Sequence, residues 1–438
     1  MRFYVTYFGC RANQAEIQEW IIELEQMGYQ LTRELESADF AILNTCSITA
    51  KAEKEVLRHM ERMYHRSDIP WVIAGCSVSN LQQEIQNRFP DYIFLDNEQK
   101  KDLVALVAER FPAAEENLIY HSAYRSRLFL KIQDGCQFRC AYCIVPLLRG
   151  KPHSQLPEDI VKKARRFVAL GYKELILTGI NLSSYGLDLF PRPTLIDLLT
   201  QLQEIRDLQF LRLSSLDPRF LGFDFIRQLS LLEKIAPSFH FSLQSGSDSV
   251  LKRMSRSSKA RQYHQIMEHF QRYFPTANLG ADFITGFPEE TEQEFQDTVD
   301  FIYKSPLTYL HVFPFSPRPG TRAAEMPPVD PAVIAHRMAV LTQLNHMRKI
   351  AYRERFVGQK LSGILTEENV QHATVVTSNY LTVQIPPRIG YKRRKVWVRL
   401  ERVLNDSLCQ GVVCRPDKAS ADGETDARVV HGETAPTR

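Results

Sequence analysis

The 438-residue sequence has no apolar run of about 18 residues, the length a membrane-spanning helix needs. Its first residues, MRFYVTYFGCR, lack the basic-then-apolar order of a secretory signal. A cytoplasmic protein with no membrane partner is therefore expected. Excess charge is also small: 55 basic against 51 acidic side chains leave +4, which by itself indicates no partner. No short-period repeat is present. Nor does the chain need covalent staples, since one of this length buries roughly three-quarters of its unfolded surface. In a reducing compartment disulfides are rare. The eight cysteines (10, 46, 76, 136, 140, 143, 409 and 414) are then buried apolar residues, nucleophiles or metal ligands.

At about 150 residues per domain the length suggests about three domains. Residues 1–112 alternate strand patterns (2–7, 39–44, 70–75 and 92–95) with helical ones, and Ile17, Ile21 and Leu24 share one face of the first helix. This rhythm implies an open, mostly parallel α/β sheet. After a linker at 111–126, a second α/β series over 122–352 has strand patterns at 127–133, 173–179, 209–216, 238–244, 277–286 and 307–316. Six such units are too few for an eight-unit barrel and fit an open, partial (βα)6 barrel. A helix over 330–356 ends this part. Residues 355–415 turn to short alternating runs, which implies a small all-β module of the barrel type. The polar tail 416–438 reads as disordered.

Cys10, Cys46 and Cys76 each fall just past the carboxyl end of a strand, the edge where open α/β sheets bind ligands. They are either three small buried residues or one ligand set assembled by the fold. The strongest local signal is Cys136-Gln-Phe-Arg-Cys140-Ala-Tyr-Cys143, a CxxxCxxC loop after the first barrel strand. Three thiolates in eight residues can hold an iron–sulfur cluster. A missing fourth ligand leaves one iron open, whereas an electron carrier would supply it. Zinc would want a nearby fourth ligand, and the nearest, His153, is a poor one. Cys409 and Cys414, with no second His or Cys ligand nearby in the sequence, read as packing residues.

The CxxxCxxC loop resembles that of the radical S-adenosylmethionine (SAM) superfamily. The resemblance implies that the open iron chelates the amino and carboxylate groups of SAM, which one electron cleaves to a 5′-deoxyadenosyl radical. Tyr142 matches the aromatic that packs on the adenine. Leu177-Thr178-Gly-Ile-Asn181 stands where the superfamily has Gly-Gly-Glu and departs from it. Asp282-Phe-Ile284-Thr-Gly286 resembles the segment near the adenine, with Asp in place of the first Gly. Ser215, Gln244 and the stretch Val312–Phe315, with Phe313, lie at other strand ends; they face the same cavity or simply pack the barrel.

The whole chain to about residue 415 is similar to the methylthiotransferase family. That likeness implies a second, auxiliary [4Fe-4S] cluster on Cys10, Cys46 and Cys76, and an RNA-binding TRAM domain in the β-module. One SAM would methylate a sulfur at the auxiliary cluster and a second would supply the radical. Several stretches, including Phe8-Gly-Cys-Arg-Ala-Asn13, 177–186, 212–218, 243–254 and 311–321, resemble the branch acting on N6-threonylcarbamoyladenosine 37 of tRNA. The isopentenyladenosine branch and the branch acting on a ribosomal-protein aspartate are the alternatives. A further one is an RNA-binding protein with structural or redox-sensing clusters. Arg149 and Arg318 suit a phosphate or carboxylate, or simple ion pairing. Residues 386–403 hold seven basic side chains and one acid; Arg388, Lys392, Arg393, Arg394 and Lys395 are the expected RNA contacts. The implied partners are a tRNA anticodon stem-loop, an electron donor such as flavodoxin or ferredoxin, and a sulfur donor, with the enzyme a monomer.

Overall fold

The computed structural model describes residues 1–66, 68–113 and 125–416; the expected linker and tail fall largely outside the described residues. The N-terminal unit runs β1 (Arg2–Tyr7), α1 (Arg11–Gln26), β2 (Gln30–Thr32), β3 (Phe40–Thr45), α2 (Ala50–Tyr64), β4 (Trp71–Gly75), α3 (Cys76–Arg88), β5 (Ile93–Leu95) and α4 (Leu103–Arg110). Its sheet is parallel throughout, in the order β2-β1-β3-β4-β5. β3 and β4 are buried along their whole length, as continuous apolar strands covered on both faces must be. The three-residue β2 is too short to show a period in the sequence.

The central unit runs β6 (Leu128–Asp134), α5 (Val145–Arg149), β7 (His153–Ser154), α6 (Pro157–Ala169), β8 (Glu174–Gly179), α7 (Leu195–Gln203), β9 (Phe210–Leu213), β10 (Ser215–Leu216) and α8 (Phe223–Ser230). It continues with β11 (Ser238–Gln244), α9 (Asp248–Arg253), α10 (Ala260–Tyr273), β12 (Asn278–Thr285), α11 (Glu292–Lys304), β13 (Tyr309–Pro314) and α12 (Pro331–Glu354). The sheet falls into β7-β6-β8-β9 and β10-β11-β12-β13. The third expected strand breaks at Ser214 and serves both segments, so the six parallel positions form an open, partial barrel.

The open edge of β6 is covered from the N-terminal unit. Gln18 of α1 accepts from the Phe129 amide (2.8 Å) and donates to the Arg127 carbonyl (3.3 Å), pairing backbone groups that would otherwise lie exposed. One apolar core under the helices includes Phe239, Phe241, Phe270 and Phe283, all fully buried.

The last unit is a closed barrel of β14 (Lys360–Glu368), β15 (Ala373–Thr377), β16 (Thr382–Ile385), β17 (Lys395–Val403) and β18 (Cys409–Cys414), in the order β14-β15-β16-β18-β17. Tyr352 and Phe356, from the end of α12, pack into its core with Cys409. Cys414 is half-buried at the strand's end.

Candidate functional site

Cys10 caps the start of α1, Cys46 follows β3 directly, and Cys76 opens α3 after Gly75, whose φ of 104° suits glycine. Parallel order puts all three loops on one sheet edge. A Cβ on Gly9 would sit 2.7 Å from the Cys46 Cβ and 3.0 Å from its Sγ, so this glycine lets the Cys10 and Cys46 loops touch. Asn13 ties them further, donating to the Thr45 carbonyl at 2.8 Å and the Phe8 carbonyl at 3.0 Å.

Cys136, Cys140 and Cys143 occupy the loop between β6 and α5, all half-buried. Gly135, at φ 66°, permits the loop's entry; a Cβ there would lie 2.0 Å from the Lys151 carbonyl oxygen. The Ala141 amide donates to the Met254 carbonyl (3.0 Å), anchoring the loop to the end of α9. The two cysteine-bearing segments abut: Cys76 packs with Ile144 of the second loop and with Leu148 of α5.

Burial pushes the Cys46 thiol up to about 12, with Cys10 and Cys76 adding to the effect. Burial likewise pushes Cys143 up to about 12, with Cys140 and Cys136 adding. Such sulfurs become thiolates only against a bound cation. Among the described residues, neither triplet brings all three sulfurs within 4.8 Å of one another. A tetrahedral zinc, with Zn–S about 2.3 Å, would need them about 3.8 Å apart. The donor sets therefore fit multi-iron clusters better than single ions.

A buried ionic network joins the two loops. Arg149, the last residue of α5, reaches Asp134 at 3.0 Å, Glu16 at 3.3 Å and the Asn13 side-chain oxygen at 2.8 Å. Glu16 also meets Lys100 at 2.8 Å and Lys131 at 2.7 Å. Lys100 holds Asn97 (2.7 Å), whose amide donates to the Leu148 carbonyl at 2.8 Å and contacts Cys76 Sγ at 3.6 Å. On the other flank Arg318 donates to Glu53 (2.6 Å) and to Ser47 (3.2 Å), beside Cys46. Both arginines considered from the sequence for phosphate or carboxylate are thus engaged between units.

Burial alone would push the Glu16 carboxyl up, but Lys100, Lys131 and Arg149 outweigh it and hold it well below the usual range. Asp134 is likewise depressed: Lys131 and Arg149 overcome its burial. A depressed carboxylate contributes stability that is complete above its unfolded pKa, about 4, and lost as pH falls below that. The urea midpoint should drop as pH falls below about 4, and the drop should shrink in Asp134→Asn. An equal drop in both proteins contradicts the network's role.

The residues considered for SAM divide by strand face. Thr178 is buried at the end of β8. Asn181 follows it, its amide held by Gln133 Oε1 at 2.8 Å. The Asn181 Oδ1 and Ser215 Oγ atoms are buried with no hydrogen-bond partner among the described residues, as donors and acceptors awaiting a polar ligand would be. Gln244 ends β11 at φ 78°, a strained conformation of the kind that clusters at ligand sites. Tyr142 packs with Val250, Met254 and Phe287, close to the end of β12. Val312 differs from expectation. Alternation along β13 turns its side chain outward onto the helix core, while Phe313 is 44% exposed. Asp282 lies deeper in the barrel, 2.8 Å from His240.

The basic stretch also divides. Arg388 and Arg394 flank the exposed Tyr391, their guanidinium carbons 5.9 and 5.1 Å from its ring centre, a surface suited to phosphates and bases. Lys392 lines a groove of about 1070 Å³ that also contains Arg33 and Arg125. Lys395 lies 5.4 Å from the Phe210 ring. Arg393 is a correction to the sequence reading. It stacks 4.0 Å over Tyr172 and donates to the Leu170 carbonyl at 3.0 Å, docking the β-barrel on the central unit. With this face as an RNA-phosphate contact, Arg394→Ala should weaken RNA binding and lower its salt slope by about 1. Arg393→Ala should lower thermal stability and leave that slope unchanged. Salt titrations of binding check both; equal slope changes contradict this division.

An open (βα)6 barrel with a strand-end CxxxCxxC loop defines a radical SAM protein. Residues 130–302 match the Radical SAM superfamily and residues 2–95 match Uncharacterized protein family UPF0004. The chain is 31% identical over 409 residues to the threonylcarbamoyladenosine tRNA methylthiotransferase MtaB of Aquifex aeolicus, covering 90% of this chain and 98% of that protein. It is 32% identical over 405 residues to the tRNA-2-methylthio-N(6)-dimethylallyladenosine synthase of Ruegeria pomeroyi, covering 87% and 91%. The methyltransferase TsrM of Kitasatospora setae, solved with tryptophan and a SAM analog, shares the fold with TM-score 0.54 at 12% identity, covering 74% of this chain and 75% of that one. The chain belongs to the radical SAM methylthiotransferase family, close to its MtaB-type members.

Proposed function

We propose that the chain methylthiolates C2 of N6-threonylcarbamoyladenosine 37 in tRNA. The observation that carries this reading is the docking of two cysteine triplets on each other through Arg149, Glu16, Asn13 and Asn97. When bound, two [4Fe-4S] clusters and SAM would supply the sulfur, methyl and radical chemistry. Cys136, Cys140 and Cys143 would hold the SAM-binding cluster, and Cys10, Cys46 and Cys76 the auxiliary one. Thr178, Asn181, Ser215 and Gln244 would orient SAM through polar atoms at the strand ends, and Tyr142 would flank its adenine.

The division of labour follows the three units: 1–112 for sulfur, 122–352 for the radical and 355–415 for RNA, with Arg388 and Arg394 meeting the anticodon stem-loop. The enzyme would act as a cytoplasmic monomer fed by a flavodoxin- or ferredoxin-like donor and a sulfur donor. The identity to the Ruegeria enzyme supports a second reading, dimethylallyladenosine 37 as substrate. Anaerobic reconstitution tests the cofactor reading. Roughly four irons per cluster, loaded at both triplets, with SAM cleaved on reduction, support it. Iron at one triplet alone overturns it.

A further inference from the structure

Below the strand ends the barrel carries a second polar layer, outside the cysteine loops; of the residues considered for SAM it includes only Asp282. In the sheet register His240 pairs with Gly280 and Gly280 with Tyr309, while Asp282 pairs with His311. These side chains share one face because residues two apart on a strand do. Gly280 is what admits the Tyr309 ring: a Cβ there would lie 1.9 Å from it. His240 binds Asp282 Oδ1 at 2.8 Å through Nε2 and the Tyr309 hydroxyl at 3.0 Å through Nδ1. His311 Nδ1 stands 3.6 Å from the same Asp282 oxygen, and the His311 side chain is 47% exposed.

The facing part of the layer is cationic. Arg212 and Arg127 hold the ring of Tyr380, from the β-barrel, at 4.6 and 5.2 Å. Both pair with one carboxylate, Glu174, at 2.8 and 3.7 Å. Arg11, the residue after Cys10, is near enough for its charge to act on Tyr309, Tyr380 and His240. Among the described residues the Arg11 side chain makes no hydrogen bond or ion pair. Burial pushes the His240 imidazole below its ordinary value, against the pull of Asp282. Three guanidinium groups against the Glu174 and Asp282 carboxylates leave one positive charge in excess. An apolar occupant would desolvate Arg11, Asp282 and His311 without replacing their water contacts. An occupant with a carboxylate, a hydroxyl and amide groups would satisfy them.

We propose that this layer is the subsite for the N6 substituent of the target adenosine and that it selects a carboxylate-bearing one. Arg11 pairs with the carboxylate, and His311 with Asp282 meets the hydroxyl. The inference rests on the reading of the chain as a tRNA methylthiotransferase and adds the residues that choose the substrate.

The test uses reconstituted holoenzyme and three anticodon stem-loops of one sequence, bearing adenosine, N6-threonylcarbamoyladenosine or N6-dimethylallyladenosine at position 37. A charge-assisted pair contributes roughly ten- to a hundredfold in affinity. The wild type should prefer the threonylcarbamoyl stem-loop over the dimethylallyl one by about that factor. Arg11→Met should reduce the preference to about twofold, and Arg11→Lys should restore part of it. Because Arg11 adjoins Cys10, iron content is measured alongside. If Arg11→Met loses iron, His311→Phe, which changes no residue adjoining a cysteine in the sequence, decides by the same ratio. An unchanged ratio in iron-replete Arg11→Met and in His311→Phe overturns the subsite. A wild type that methylthiolates none of the stem-loops overturns the functional reading instead, so the two failures are distinct.

Discussion

Cys10→Ala is expected to keep reductive SAM cleavage and lose methylthiolation, whereas Cys140→Ala loses both. The prediction follows from the separation of the triplets on different units, each with its own anchoring. Cys140 lies in the loop fixed by Gly135 and the Ala141–Met254 hydrogen bond. Cys10 lies on the opposing sheet edge, held by Asn13 and the close approach at Gly9. Under the proposed assignment, replacing it would remove a ligand from one set without touching the other. Quantifying 5′-deoxyadenosine and methylthiolated nucleoside in one reaction checks both. Intact methylthiolation in Cys10→Ala refutes an auxiliary cluster at that position.

Arg149→Met should destabilise the protein by about 3–5 kcal/mol, the usual effect of removing one member of a buried ion pair. The Arg149 side chain is 1% exposed, and its loss strands the Asn13 side-chain oxygen and part of the Glu16 and Asp134 carboxylate surface. The N-terminal unit should then unfold or undock in urea before the barrel, giving two transitions. Methylthiolation should fall further than SAM cleavage, because the loops lose their register while the CxxxCxxC loop keeps its own anchors. A single transition at the wild-type midpoint contradicts a positioning role.

Local signals were legible in the sequence, and long-range pairings were not. CxxxCxxC declares itself in eight residues. Cys10, Cys46 and Cys76 became a set once strands were placed, because strand ends in a parallel sheet share an edge. The partners of Arg318, 271 and 265 residues away at Ser47 and Glu53, carry no periodic pattern. The same holds for Glu16 with Lys131, 115 residues apart. Arg393 looks like its neighbours in a basic run, and only the packing of the β-barrel on Tyr172 singles it out. Val312 sits one residue from two inward-facing side chains, and a shift of one along a strand changes face. His240, Asp282 and His311 come from three strands; the strand patterns were readable, but their mutual register was not.

The most direct test is mass spectrometry of nucleosides from a threonylcarbamoyl-bearing anticodon stem-loop treated with reconstituted enzyme, SAM, a reductant and sulfide as the sulfur source. The expected product is the 2-methylthio-N6-threonylcarbamoyl nucleoside, formed together with S-adenosylhomocysteine and 5′-deoxyadenosine. An unchanged nucleoside in the presence of intact clusters and cleaved SAM, with the dimethylallyl stem-loop modified instead, would contradict it.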